Sequence, residues 1–218
     1  MSLALFDLDG TLIHSEAGIV GSMRYALTQM GHEPPPQAVL RTWIGPPLRQ
    51  TFPTVVGNDP AAIEAAVAHY SDRFDSQGWA EYEVYAGIGD VIETLAARGF
   101  TLVVATTKVL PRAQRIVDHL PFGRHFSRVY APTGEGRHSE KAQMIAQALA
   151  DFGVAAGDAV MIGDRYFDIE GARANAVRSI GVTWGFGTRD ELVEAGADVI
   201  AAQPSELAAL ILAERAAA

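Results

Sequence analysis

The chain opens with a short apolar run that ends on two aspartates, and residues 3–12 read LALFDLDGTL. An uninterrupted apolar run of this length is typical of a buried strand in a parallel sheet. A strand places residues i and i+2 on the same side, so Asp7 and Asp9 are expected side by side, and Gly10 lets the backbone turn away. Adjacent carboxylates repel each other and lose solvation, which a bound cation or separate acid and base roles usually offset. The segment therefore predicts a charged site at the end of a buried strand.

The remaining pattern predicts an α/β fold, a Rossmann-like three-layer core with a parallel sheet, into which a helical domain is inserted. Short apolar strands alternate with helices from about residue 84 onward, and this alternation indicates a parallel sheet covered on both faces. The predicted strands are 101–106, 127–131, 159–163 and 178–183, with a shorter β/α close near 197–213. Residues 15–82 contain amphipathic stretches, such as 16–30 and 61–77, and no convincing strand. We therefore expect a core formed by residues 1–14 and 83–218 and a helical cap at residues 15–82.

Composition excludes several classes of function. The chain has 218 residues, of which 49% are apolar, and a net charge of −9. The absence of a Lys or Arg run argues against nucleic acid or an anionic membrane as a partner. The absence of cysteine excludes disulfides, thiolate zinc sites and cysteine nucleophiles, and it fits a reducing compartment. The opening apolar run is too short for a signal or a membrane span. We expect a cytoplasmic monomer or weak homodimer.

Polar residues follow three further strands of the predicted sheet or begin the next helix. Thr106, Thr107 and Lys108 come at the end of one strand, Asp164 and Asp168 follow another, and Lys141 begins a helix. Ligands of parallel sheets bind beyond the carboxyl ends of the strands, so these groups are expected to gather around the first aspartates.

A phosphate monoester would suit such a group of residues. Its negative charge must be held beside carboxylates, and a hard divalent cation with oxygen ligands can do so. We expect Mg²⁺, held by Asp7, Asp164 and the backbone carbonyl of Asp9, because the group lacks sulfur and histidine. Lys141 adds a positive charge for the phosphoryl oxygens and the Thr106 hydroxyl a neutral donor. Asp168 is expected to orient the metal site without ligating the ion.

This set of residues resembles the motifs of the haloacid dehalogenase (HAD) superfamily. Asp7 and Asp9 match its first motif, Thr106 its second and Lys141 its third, while Asp164 and Asp168 match its fourth. The insertion after the first motif matches the C1-capped subgroup. The resemblance implies that Asp7 attacks phosphorus to form an aspartyl-phosphate, and that Asp9 protonates the leaving oxygen and then activates water.

Four stretches are similar to the branch of phosphoglycolate phosphatases and HAD-type 5′-nucleotidases, namely residues 44–48, 83–88, 163–175 and 179–187. The resemblance implies 2-phosphoglycolate, a 5′-nucleotide or a similar metabolite as substrate. Gly10, Thr107 and Lys108 are candidates to lie close to the phosphate, and the alternative for Lys108 is a position at the surface.

The cap should select the leaving group, since the core recognises only the phosphoryl group. Trp43, Gly45 and Arg49 are the candidates. Trp43 could stack on a base, and Arg49 could pair with a carboxylate or a second phosphate. The alternative is that Trp43 belongs to the cap core and Arg49 is a solvated helix residue.

Three other functions stay open on this scaffold. A phosphomutase would need a cap that excludes water and holds a second sugar phosphate. A dehalogenase needs neither a second aspartate nor a metal, so Asp9 and Asp164 argue against it. An inactive binding module is disfavoured because every catalytic position is filled.

Overall fold

The computed structural model describes residues 2–133 and 140–213, and helices and strands alternate through most of them. In chain order the elements are β1 (Ser2–Phe6), β2 (Ile13–His14), α1 (Glu16–Gln29), α2 (Gln37–Thr42), α3 (Leu48–Thr51), α4 (Pro53–Val56), α5 (Pro60–Ser76), β3 (Glu83–Val84), α6 (Ile88–Ala97), β4 (Phe100–Ala105), α7 (Leu110–His119), β5 (Phe126–Tyr130), α8 (Glu140–Phe152), β6 (Ala159–Gly163), α9 (Tyr166–Ala174), β7 (Arg178–Val182), α10 (Arg189–Glu194), β8 (Val199–Ala201) and α11 (Leu207–Leu212).

Six of these strands form one parallel sheet in the order β5-β4-β1-β6-β7-β8, while β2 and β3 pair in a separate two-stranded sheet. The first strand lies at the centre, where Phe6 is in register with Val104 on one side and with Ile162 on the other. Because the three strands are parallel and in register, the residues that follow them emerge at the same edge of the sheet. The predicted parallel α/β core is confirmed.

The core of the sheet is apolar, as its continuous apolar strands require. One face of β1, β4 and β6 packs against α8 and α9 through residues that are at most 8% exposed, including Leu5, Val103, Met161, Ile145 and Ala172. Burial on this scale contributes roughly 1.5–3 kcal/mol for each large aliphatic side chain. Strands that are buried along their whole length leave only their ends for polar chemistry.

The described residues divide into two compact units. One contains the residues up to Ile13 together with those from Val84 onward, and the other contains His14–Glu83. Within the second unit, α1 packs against α5. The Arg73 guanidinium, only 16% exposed, donates to Ser22 Oγ at 3.2 Å and to Glu81 Oε2 at 2.8 Å, so it ties α5 to α1 and to the end of the unit.

The amphipathic pattern located the long helices well. The helices predicted at 16–30 and 61–77 are observed at Glu16–Gln29 and Pro60–Ser76, and the four predicted core strands lie within one residue of the observed ones. The pattern missed α2, α3, α4 and α10, because four to six residues are too few to show a helical period. No helix within residues 2–133 and 140–213 is both long and apolar enough to cross a membrane. The cytoplasmic location stays a prediction.

Candidate active site

Three adjacent strands of the sheet bring the candidate catalytic residues together at one edge. Asp7 follows β1, Thr106 follows β4 and Asp164 follows β6, and each is at most 4% exposed. Two further residues come from helices next to these strands, Lys141 at the start of α8 and Asp168 in the first turn of α9. Both are fully buried. The edge therefore holds a cluster of charged groups that is largely removed from water.

Lys141 is the centre of this cluster. Its Nζ lies 2.9 Å from Asp7 Oδ1, 2.7 Å from the Ala105 carbonyl oxygen and 2.6 Å from Asp168 Oδ1. The contacts with Asp7 and Ala105 are hydrogen bonds, and the contact with Asp168 is an ion pair. Burial opposes the charged form, but the two carboxylates outweigh it and raise the pKa of Lys141 above its ordinary value. Lys141 is therefore a fixed cation that the two aspartates share.

Asp164 is held through both of its carboxylate oxygens. Thr11 Oγ1 donates to Oδ1 at 3.3 Å, and the backbone N–H of Phe186 donates to Oδ2 at 2.7 Å. Burial, together with the neighbouring charges of Asp7 and Asp168, raises the pKa of Asp164 well above its ordinary value, and the Phe186 N–H only partly opposes this. The site therefore favours a positive group beside Asp164 at neutral pH.

Asp168 is also oriented by two donors. The Arg165 backbone N–H donates to Oδ2 at 3.1 Å, as in a capping box at the start of α9, and Lys141 contacts Oδ1. Burial raises the pKa of Asp168 to about 7, although Lys141 opposes the rise. A methyl group at Gly163 would overlap the Asp168 carboxylate, so the strand end must be glycine for the side chain to lie there.

Asp9 pairs with the second lysine of the site. Lys108 Nζ lies 3.1 Å from Asp9 Oδ2, and both side chains are mostly buried, at 7% and 16% exposed. The other carboxylate oxygen, Oδ1, is buried and has no hydrogen-bond partner among the described residues. Thr106 Oγ1 accepts the Lys108 backbone N–H at 3.2 Å and so fixes the turn that carries the lysine. The chain contains only two lysines, and both contact aspartates of this cluster.

A divalent cation fits this cluster by charge and by donor type. Carboxylate oxygens of Asp7, Asp164 and Asp168 lie within 4.8 Å of one another. With Asp9 there are four carboxylates against two lysine ammonium groups, which leaves two negative charges when all are ionised. Hard cations such as Mg²⁺ prefer oxygen ligands, and none of the three clustered residues is a sulfur or nitrogen donor. The residues therefore suit a single divalent ion.

Two of the predicted phosphate-binding residues also lie near this edge. Gly10 has a φ of +86°, and a methyl group there would overlap the Asp164 carboxylate, so both its conformation and its small size are needed. Thr107 is half-buried in the turn between Thr106 and Lys108. Their contact with phosphate stays a prediction.

The three candidates for leaving-group recognition lie in the other unit, His14–Glu83. Trp43 is 8% exposed and packs edge-to-face on Phe52. Arg49 forms a bidentate pair with Glu64, with N–O distances of 2.6 and 2.7 Å. Gly45 has a φ of +108°, which favours glycine in the turn. Their roles toward a substrate are untested.

Sequence reasoning missed the residues that hold Asp164. Thr11 belongs to the opening motif, and Phe186 lies in the stretch 179–187, which the sequence singled out without a role. A signal was present in the Trp-Gly-Phe-Gly run at 184–187, because two glycines directly after a buried strand indicate a close approach of the backbone.

Comparison with known proteins adds independent information. A family model described as "Haloacid dehalogenase-like hydrolase" matches residues 4–182. A 5′-nucleotidase from Pseudomonas aeruginosa is 44% identical over 188 residues, which cover 86% of this chain and 85% of that protein. Tyrosine-protein kinase PtkA from Mycobacterium tuberculosis is 37% identical over 199 residues, which cover 91% of this chain and 67% of that longer protein.

Solved structures show the same architecture. The crystal structure of a predicted phosphatase from Clostridium acetobutylicum superposes with a TM-score of 0.89 at 36% sequence identity, and the match covers 97% of this chain and 98% of that one. The similarity extends over both units and is not limited to the sheet edge.

Proposed function

Because the chain belongs to the haloacid dehalogenase-like hydrolase family, as its sequence motifs predicted, we propose that it is a Mg²⁺-dependent phosphomonoesterase acting through an aspartyl-phosphate. The observation that carries this proposal is the buried cluster in which Lys141 contacts both Asp7 and Asp168. A cation fixed beside a strand-end carboxylate lowers the repulsion that an incoming phosphate dianion would meet. The proposed substrate is a small phosphorylated metabolite, 2-phosphoglycolate or a 5′-nucleotide.

The first half-reaction transfers the phosphoryl group to Asp7. The Asp7 carboxylate attacks phosphorus and forms an O–P bond, while the bond between phosphorus and the leaving oxygen breaks. Asp9 gives a proton to that oxygen, so the alcohol leaves neutral. Lys141 stays ion-paired with Asp7 and Asp168 and supports the step by its charge.

The second half-reaction regenerates the enzyme. Asp9, now ionised, takes a proton from water, whose oxygen attacks phosphorus as the bond to Asp7 breaks. Inorganic phosphate leaves, and the Asp7 carboxylate is restored beside Lys141. Lys108, whose Nζ lies 3.1 Å from Asp9 Oδ2, holds the Asp9 side chain in position for this step.

The metal site would use Asp7, Asp164 and the backbone carbonyl of Asp9, with Asp168 as an orienting group. When bound, Mg²⁺ would supply positive charge that offsets the negative charge of the carboxylates and of the phosphoryl group. The two donors on Asp168 support the orienting role, since Lys141 and the Arg165 N–H engage both of its oxygens.

The unit His14–Glu83 is the proposed cap, and Trp43, Gly45 and Arg49 are its proposed selectivity residues. Arg49 would have to exchange Glu64 for an anionic group of the substrate. The exchange costs little because the pair of Arg49 and Glu64 is exposed to solvent, which screens the attraction.

A phosphate-release screen tests the proposal. The panel contains 2-phosphoglycolate, nucleoside 5′-monophosphates, sugar phosphates and p-nitrophenyl phosphate, with Mg²⁺ and with Asp7→Asn as the blank. Asp158→Asn, which removes an exposed carboxylate, is the matched control. We expect turnover that Asp7→Asn abolishes and Asp158→Asn retains. The absence of any Asp7-dependent phosphate release would contradict the proposal.

The same panel distinguishes transfer of the phosphoryl group to water from transfer to another acceptor. A phosphomutase would convert a sugar phosphate to its isomer without releasing phosphate at multiple turnovers. The name of the PtkA relative makes tyrosine a further acceptor to include, as labelled ATP with a tyrosine-containing peptide. If the label appears on the peptide in preference to free phosphate, the activity is phosphoryl transfer to tyrosine and not hydrolysis.

A further inference from the structure

Asp164 contacts a short segment, residues 184–187, which comes shortly after β7. No residue of this segment has a role in the proposed reaction. The Phe186 N–H in this segment donates to Asp164 Oδ2 at 2.7 Å, and Thr11 Oγ1 donates to Oδ1 at 3.3 Å. Each carboxylate oxygen can accept more than one bond, so an oxygen that accepts from one of these donors can also ligate a cation. The two donors thus fix the plane of the carboxylate without saturating it.

The segment approaches Asp164 so closely that side chains are excluded. A methyl group at Gly185 would overlap Asp164 Oδ2 and the Gly10 carbonyl oxygen. A methyl group at Gly187 would overlap the backbone carbonyl oxygen of Asp164. Both glycines are therefore required by the contact itself, and the approach is a built feature of the site.

Trp184 connects this segment to the loop that carries Thr11. Its indole N–H donates to the Thr11 carbonyl oxygen at 3.2 Å. Its ring packs edge-to-face on Tyr85, with a centroid distance of 6.4 Å. Trp184 thereby fixes the backbone of Thr11, whose hydroxyl in turn contacts Asp164. The three residues form a continuous set of contacts that ends at Asp164.

We propose that Thr11, Trp184 and the backbone of residues 185–187 form a positioning element, which holds Asp164 in the orientation that a divalent cation needs. The inference rests on the proposed function, because only a metal-dependent enzyme requires this carboxylate to keep one orientation. These are positioning residues, since none of them is placed against the substrate. Partners that orient a metal ligand typically contribute about 10–100-fold to metal affinity.

Calorimetric titration of the full chain with Mg²⁺ tests the proposal. Thr11→Val removes the hydroxyl at nearly constant size, whereas Thr11→Ser keeps a hydroxyl. Trp184→Phe removes the indole donor but keeps an aromatic ring. Thr183→Val is the matched control, because the Thr183 hydroxyl also makes a 3.3 Å hydrogen bond, to Ala201, away from Asp164. We expect Thr11→Val to weaken Mg²⁺ binding on the order of 10-fold, and Thr11→Ser and Thr183→Val to bind like wild type.

The outcomes separate positioning from a general loss of stability. Thermal unfolding without metal records any loss of stability in Thr11→Val and Thr183→Val, whereas the Mg²⁺ dissociation constant of the folded protein should change only in Thr11→Val. Wild-type affinity in a folded Thr11→Val, or in a folded Trp184→Phe if Thr11→Val does not fold, would overturn the proposal. So would a wild-type chain that binds no Mg²⁺. A chain that binds Mg²⁺ but hydrolyses no ester would contradict the proposed function alone, and the titrations would still decide the role of Thr11.

Discussion

The fully buried Nζ of Lys141 lies 2.9 Å from Oδ1 of Asp7, a residue 134 positions away in the chain. The contact joins the start of α8 to the end of β1 and neutralises the proposed nucleophile before any substrate arrives. The other two contacts of Lys141, at 2.7 and 2.6 Å, are shorter still, so the lysine cannot leave without disrupting the cluster.

Removal of this cation should reduce both activity and stability. Lys141→Met leaves Asp7 and Asp168 buried without their counter-charge, and breaking a buried pair in this way costs about 3–5 kcal/mol. Loss of a fixed charge at the reacting group should lower kcat on the order of 10²-fold or more. Urea unfolding and phosphate release measure the two effects. Arg124→Met, which removes an exposed cation, should change neither, and a fully active Lys141→Met would refute the role.

Asp9→Asn should slow turnover on the order of 10²–10⁴-fold, because no group would protonate the leaving oxygen or activate water. The loss in the first half-reaction should be smaller with p-nitrophenyl phosphate, whose leaving group needs little protonation. A rapid-mix experiment that follows p-nitrophenol measures this difference. Near wild-type activity with an unchanged pH profile in Asp9→Asn would show that Asp9 is not the acid and base.

The stabilising effect of Mg²⁺ should grow with pH. In the metal-free protein the pKa of Asp168 is raised by burial to about 7 from its ordinary 3.8, so folding favours its protonated form. The stability contributed by this group is full below the ordinary pKa and is lost as pH rises through the folded value. The raised pKa of Asp164 acts in the same direction.

Thermal unfolding with Mg²⁺ and with EDTA measures this linkage. The difference in Tm between the two should be larger near pH 8 than near pH 5, because protons compete with the cation at low pH. Asp158→Asn should keep the slope, since Asp158 is exposed. A difference in Tm that does not vary with pH would contradict the assignment.

Substitutions of Arg49 and of Trp43 should differ in their effects on stability and on KM. Arg49→Ala should leave the free energy of unfolding nearly unchanged, because its pair with Glu64 is exposed. It should nevertheless raise KM for a substrate with an anionic leaving group. Trp43→Ala should cost about 3–5 kcal/mol, since the ring is buried on Phe52. Unchanged KM values in Arg49→Ala over the whole panel would remove Arg49 from the selectivity residues.

Sequence reasoning reached the strand ends because burial and sheet topology leave little choice there. A buried parallel strand must be apolar along its length, so polar residues such as Asp7, Thr106 and Asp164 mark where each strand ends. These three residues lie close together because β1 lies between β4 and β6 in the sheet. The short helices α3 and α4 were not predicted, because a single turn has no periodicity to detect.

By itself the sequence determined the elements of the core and the residue types at their ends, because the hydrophobic period and the glycine positions act locally. Only the tertiary structure decided which partners these residues meet. The three acceptors around Lys141, the pairing of Arg49 with Glu64, and the Phe186 N–H on Asp164 all join residues far apart in the chain. The physical reason is that hydrogen bonding and charge act over a few ångströms, and those distances exist only after the sheet and its loops have packed.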